Sequence, residues 1–276
     1  MLPSVASPSA LHHAASVDRP TVVCLHSSGS SASQWKRLME AQQGAYRFIS
    51  VDFFGHGRVP GYAGAHYTLQ READAVWNAL ASVAGPVHLV GHSYGGAVAL
   101  DLAARFSDRV ASVCVYEPVL FALLDPASNE YGEITTVGLC IVRSARAGRL
   151  EAAAAAFIDY WNGPASWRAL STELRTRVEA RIVAVAAHFE ALFDDPLPLQ
   201  RIRSIESPLL VLQGDRSPGP ARAVCRCLES LDAVQGAVLS GLGHMGPVTH
   251  PEVVNRQIAA HLQAVAAPAG ALRLAA

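Results

Sequence analysis

The sequence predicts an α/β architecture, a mostly parallel central sheet flanked by helices and interrupted by a helical insertion. Three observations carry that prediction. Short runs of β-branched and aliphatic residues alternate with helical patterns between Thr21 and Tyr116, which implies right-handed crossovers and a sheet buried on both faces. Gly91-His-Ser-Tyr-Gly95 lies where one apolar run breaks straight into a helix. The alternation stops near Val119 and resumes only at Pro208. The expected organisation is a core built from residues 1–118 and 204–276, with a helical unit inserted at 119–203.

Taken in order, residues 1–20 carry few long apolar runs, and residues 11–15 read as an edge strand. Thr21-Val-Val-Cys-Leu25 is a buried strand that opens into the small-residue loop His26-Ser-Ser-Gly-Ser-Ser-Ala-Ser33. A helix starts near Ser33 with Trp35, Leu38 and Met39 on one face. Phe48-Ile-Ser-Val-Asp52 is the next strand, and residues 69–83 form a helix returning to the strand Val87-His-Leu-Val90. Residues 96–105 are an apolar helix and 110–116 a further strand, followed by Glu117-Pro118. In the insertion, an alanine-rich helix over 149–161 ends at Asn162-Gly163-Pro164, and a longer helix spans 170–193. Pro208-Leu-Leu-Val-Leu-Gln213 resumes the sheet, residues 221–230 are helical, and Ala237-Val-Leu239 is the last strand. A loop over 240–250 and a helix over 251–262 close the domain, with a frayed tail from 266.

At 276 residues, 51% of them hydrophobic, the chain can bury a sizeable core. Its formal net charge of −1 comes without any basic run, so neither nucleic acid nor an anionic membrane is an expected partner. No apolar stretch has the length to cross a bilayer, and the N-terminus lacks the basic start and apolar centre of a secretory signal, so the expected location is cytoplasmic. The five cysteines, Cys24, Cys114, Cys140, Cys225 and Cys227, read as reduced, buried thiols. Cys225 and Cys227 sit two apart on a helix, where side chains diverge, so no metal site is expected there.

The chemistry centres on Ser93. A turn from strand directly into helix strains the central residue, requires small residues two positions to either side, and lifts the serine hydroxyl clear of the sheet edge. It also sets the Tyr94 N–H at the first turn of the helix, aimed at a bound oxyanion. The glycines do not have the spacing of a dinucleotide loop. A serine hydroxyl needs a base, and the base needs a carboxylate to orient it. Among eleven histidines, His244 in Ser240-Gly-Leu-Gly-His-Met-Gly246 follows the last strand on a loop able to bend over the sheet edge. His250 reads as a helix-start residue, His92 as pointing away from the nucleophile, and His188 matches no motif.

His26-Ser-Ser-Gly29, Asp52-x-x-Gly-His-Gly57, Gly91-His-Ser-Tyr-Gly95 and Gly241-Leu-Gly-His244, in that order, resemble the motifs of α/β-hydrolase-fold enzymes over residues 21–262. The resemblance implies that the Ser28 N–H is the second oxyanion donor, with Ser27 where the family usually has glycine. It implies that Asp52 shapes a turn and takes no part in proton transfer. It also implies that residues 119–203 form a cap whose Phe157, Tyr160, Trp161, Trp167, Phe189 and Phe193 either line an apolar acyl or aryl site or pack the cap together. The family's usual acid position, three residues past the glycine after strand 209–212, is here Ser217, which cannot serve. Two candidates remain. Glu117 ends the strand after the nucleophile helix, resembling one branch of haloalkane dehalogenases in which the acid has moved to that strand; Asp215 lies one residue past Gly214.

The expected activity is that of a cofactor-independent serine hydrolase, a carboxylesterase for small to medium, fairly apolar esters, with catalytic Ser93, His244 and Glu117 (alternative acid Asp215) and an oxyanion hole at Ser28 and Tyr94. The expected partner is a small-molecule substrate, with no cofactor and no metal. Carbon–carbon or thioester hydrolysis by the same triad, cofactor-free perhydrolase activity, and ligand binding without turnover are the competing readings.

Overall fold

The computed structural model describes residues 19–64, 66–194 and 197–266; the strand expected at 11–15 and the tail beyond 266 lie outside them. Strands β1 (Thr21–Leu25), β2 (Arg47–Val51), β3 (Val87–His92), β4 (Val110–Tyr116), β5 (Leu209–Gly214) and β6 (Val234–Leu239) form a six-stranded sheet in the order β2-β1-β3-β4-β5-β6. Every pairing among the described residues is parallel. The four inner strands are almost wholly buried, as continuous apolar runs in a sheet covered on both faces should be.

Helices α1 (Lys36–Gln42), α2 (Leu69–Ala79) and α3 (Tyr94–Arg105) connect the first four strands. Between β4 and β5 the chain is helical throughout its regular elements: α4 (Asn129–Arg146), α5 (Leu150–Asn162), α6 (Ser166–Ala169), α7 (Thr172–Glu179), α8 (Ile182–Asp194) and α9 (Leu199–Arg203). The core then closes with α10 (Gly219–Glu229), α11 (Gly246–Thr249) and α12 (Pro251–Ala266). One apolar cluster joins one face of the sheet to α2, α3 and the inserted helices; a second packs α1 and α12 on the opposite face.

Several boundaries differ from the sequence expectation. The helix expected over 170–193 is two helices, α7 and α8, separated at Ala180 and Arg181. The helix expected over 69–83 ends at Ala79. β6 begins at Val234, three residues earlier than its apolar pattern suggests, because an edge strand has only part of its surface to bury. The thiols are not uniformly buried: Cys24, Cys114 and Cys225 are, whereas Cys140 is exposed and Cys227 is half-buried. Among the described residues no helix is long and apolar enough to cross a membrane.

Candidate active site

The sheet order puts β1 and β3 side by side, with the chain leaving toward β2 on one hand and β4 on the other. At such a switch point the loops leaving the carboxyl ends of the two strands diverge and open a crevice. The loop after β1 carries Ser28, and the turn after β3 carries Ser93.

Ser93 joins β3 to α3 with φ 56° and ψ −121°, a conformation that costs a non-glycine residue about 1–3 kcal/mol. The neighbouring glycines allow the turn in different ways. A Cβ on Gly91 would strike the backbone of Gly95, and one on Gly95 would strike the carbonyl oxygens of Leu25 and His26 at the end of β1. The second glycine therefore serves the packing of the elbow against β1. The Ser93 carbonyl accepts from the Gly96 and Ala97 N–H groups, starting α3 with Tyr94 in its first turn.

His244 Nε2 lies 3.0 Å from Ser93 Oγ, and His244 Nδ1 lies 2.7 Å from Glu117 Oε2. With Nδ1–H donating to the carboxylate, the Nε2 lone pair faces the serine hydroxyl. Backbone register explains the proximity of serine and glutamate. β3 and β4 pair through His92 and Tyr116, the Ser93 N–H donates to the Tyr116 carbonyl, and the Glu117 N–H donates to Leu212 of β5. Glu117 also has a positive φ of 45°. Its carboxylate is fully buried, and Oε1 accepts from the Gly214 N–H at 2.7 Å and the Ser217 hydroxyl at 2.5 Å. Burying a carboxylate is costly unless donors meet its oxygens, and these bonds supply them.

Asp215, the alternative acid, is not brought to His244. It is exposed, and it accepts from the Gly241 N–H at 2.7 Å and the Ser240 hydroxyl at 3.1 Å, tying the turns after β5 and β6 together. Asp52 accepts from the Ala32 N–H at 2.7 Å, and a Cβ on Gly57 would strike its carboxylate, so it shapes the turn after β2.

The loop after β1 is held by a chain of polar side chains that runs through Gln34 and His92. Ser27, in place of the family's glycine, donates through both its N–H and its hydroxyl to Gln34 Oε1. Gln34 Nε2 donates to His92 Nδ1, and His92 Nε2–H donates to the His244 carbonyl at 2.9 Å. His92 therefore faces away from the Ser93 hydroxyl, as expected, yet it braces the His244 backbone; burial and the His244 ring beside it hold its pKa well below the usual value. The Gly29 N–H donates to His56 Nε2. Burial lowers the His56 pKa to about 4, so that ring is neutral. His188, from α8, bonds Ser28 Oγ through Nδ1 at 2.7 Å. No sequence motif marks Gln34 or His188; both are single polar residues within helical patterns.

The insertion covers the site. Trp161 of α5 stacks on His244 with 3.8 Å between ring centroids, and Phe157 packs against Gly29. The other inserted aromatics pack internally: Tyr160 donates to Glu133, and Phe193 stacks with Phe121. Ser93 is only 5% exposed. A cleft of about 540 Å³ lies between the loop after β2 and α8, lined by Phe54, Tyr62, Tyr67, Ala184 and buried His188.

The sequence model of the alpha/beta hydrolase family matches residues 22–257. The chain belongs to that family. Curated relatives match over shorter stretches. A probable lysophospholipase of Arabidopsis thaliana is 33% identical over 37% of this chain and 25% of its own length. A haloalkane dehalogenase of Agrobacterium fabrum is 36% identical over 36% of this chain and 33% of its own. A pimeloyl-[acyl-carrier protein] methyl ester esterase of Neisseria meningitidis is 34% identical over 41% of each. The chain thus spans between a quarter and about two-fifths of the length of these relatives. Among solved structures, an alpha/beta hydrolase from a Medee basin deep-sea metagenome superposes with a TM-score of 0.77 at 16% identity, covering 92% of each chain. The enol-lactonase of Burkholderia xenovorans gives 0.72 at 20% identity, covering 89% of this chain and 92% of its own. At these identities the likeness is one of fold.

Proposed function

We propose that this member of the family is a serine carboxylesterase acting on small to medium apolar esters through an acyl-enzyme. The observation that carries the reading is the unbroken hydrogen-bonded chain from Ser93 Oγ through His244 to Glu117, with the serine on a strained strand-to-helix turn. Residues 119–203 act as its cap. Esterase and lipase names among partial relatives support the class.

In this reading His244 Nε2 takes the Ser93 proton as Oγ attacks the ester carbonyl, and Glu117 stabilises the imidazolium that forms. The Ser28 and Tyr94 N–H groups receive the oxyanion, each contributing about 3 kcal/mol in the transition state. The neighbouring Ser27 and Gly29 amides are committed to Gln34 and His56, which supports Ser28 as the donor. His244 then passes its proton to the leaving alkoxide, and water, activated by the same nitrogen, releases the acid. Trp161 and Phe157 over the site favour an uncharged, apolar substituent.

Dehalogenation is not part of the proposal, because the nucleophile position holds serine and not aspartate. Thioester, carbon–carbon and peroxide-dependent reactions share the triad and are separated by substrate.

The test is hydrolysis of p-nitrophenyl acetate and butyrate, with fluorophosphonate labelling, for wild type and Ser93→Ala. Wild type should label and turn over, and the variant should lose at least about 10³-fold in kcat while staying folded. A folded wild type that neither labels nor hydrolyses these esters, or a thioester and a vinylogous diketone beside them, contradicts the reading in favour of ligand binding without turnover.

A further inference from the structure

We propose that His188 and Arg181, both from the insertion, are positioning residues that assemble the oxyanion hole when α8 is seated. The inference rests on the reading above that Ser28 and Tyr94 supply its two N–H donors.

One side chain from the insertion touches both of those residues. His188 Nδ1 bonds Ser28 Oγ at 2.7 Å, and its ring lies flat on the Tyr94 ring, 3.7 Å between centroids at 5°. Arg181, immediately before α8, donates from Nη1 to the carbonyl oxygens of Gly29 at 2.9 Å and Ser30 at 3.1 Å. Residues 28–30 are therefore gripped at three polar points, one from His188 of α8 and two from Arg181 just before that helix. Within the core, the turn is closed by the Ser30 N–H to the Ser27 carbonyl, and the adjoining Gly29 amide is held by His56. The orientation of the peptide between Ser27 and Ser28 is thus shared between the two parts of the chain.

A filler role does not account for the residue at 188. The side chain is 1% exposed, and its Nε2 is buried without a hydrogen-bond partner among the described residues, 4.0 Å from Glu72 Oε2. Leaving such a nitrogen unpaired is destabilising, and an apolar ring would stack on Tyr94 without that cost. What only the imidazole adds is the bond to Ser28. Because an oxyanion donor stabilises the transition state more than the bound ester, tilting the Ser28 amide lowers kcat and leaves KM nearly alone.

The experiment measures kcat, KM and Tm with p-nitrophenyl butyrate for His188→Phe, His188→Asn, Ser28→Ala, the double variant Ser28→Ala/His188→Phe, Arg181→Met and Ser93→Ala. Ser28→Ala removes the gripped hydroxyl and keeps the backbone amide. The expected result is a roughly 10-fold fall in kcat for His188→Phe, Ser28→Ala and Arg181→Met with KM within about 2-fold. The double variant should be no slower than the slower single one, and His188→Asn, which places a hydrogen-bonding atom near Nδ1, should recover most of the rate. Losses that multiply in the double variant, or a Ser28→Ala enzyme with wild-type kcat, overturn the proposal. If turnover survives Ser93→Ala, the serine-hydrolase reading falls and takes this one with it. If turnover requires Ser93 but folded His188→Phe keeps its kcat, the positioning role alone falls.

Discussion

Ser217 stands three residues beyond Gly214, where the family's resemblance would place the acid, and its hydroxyl instead donates to Glu117 Oε1 at 2.5 Å. The two positions therefore reach the same point in space from different strands. This makes the acid's location exchangeable: a carboxylate at 217 would project toward the volume that the Glu117 carboxylate now fills. Under the proposed mechanism, Glu117→Ser should lose about 10³–10⁴-fold in kcat. Adding Ser217→Asp should return at least about 10-fold of that loss, measured with p-nitrophenyl butyrate. An added aspartate that returns nothing in a folded double variant would mean that the backbone at 217 cannot aim a carboxylate at His244. Ser93 and His244 were readable because glycines box both into recognisable loops. Glu117 was readable only through its place at a strand end, and Gln34 and His188 were not, because their partners are 58 and 160 residues away in sequence.

Among the elements, α7 and α8 show where helical pattern misleads. Residues 170–193 contain neither glycine nor proline, so nothing local announces the break at Ala180 and Arg181. The break is tertiary: it lets Arg181 leave the helix axis and bond the loop after β1. α2 presents a second case. Glu72, in its first turn, is buried against Tyr67, whose hydroxyl donates to it, and accepts from the Phe54 N–H at 3.3 Å. Burial outweighs these bonds and raises its pKa to about 7 from an ordinary 4.5. The folded protein thus holds this proton at pH values where the unfolded chain has released it. The resulting stability is complete below about pH 4.5 and disappears as pH rises through about 7, a difference of about 3 kcal/mol. His56, with its pKa lowered by burial to about 4, acts in the opposite sense and loses stability as pH falls from 6.5. Comparison with Glu72→Gln isolates the glutamate. Wild type minus variant Tm should fall by roughly 5 °C between pH 5 and pH 8, and a difference that stays constant with pH would refute the buried, protonated carboxyl.

For the whole molecule, the sheet order decides what can meet. The switch between β1 and β3 opens the crevice, the β3–β4 register sets Ser93 beside Tyr116 and hence Glu117, and the loop after β6 brings His244 over both. Alternating apolar runs were enough to read that parallel sheet, because its inner strands are buried on both faces. The way the insertion seats on the site was not readable, since it depends on the tertiary contacts of Trp161, Arg181 and His188 rather than on any local pattern. In the proposed mechanism a carboxylate at the end of β4 serves a histidine after β6. Its most direct test compares kcat/KM of Glu117→Gln and Asp215→Asn on p-nitrophenyl butyrate, with folding checked by Tm. The expected loss is about 10³–10⁴-fold for Glu117→Gln and less than about 5-fold for Asp215→Asn. The reverse order, with both variants folded, would contradict it and place the acid at Asp215.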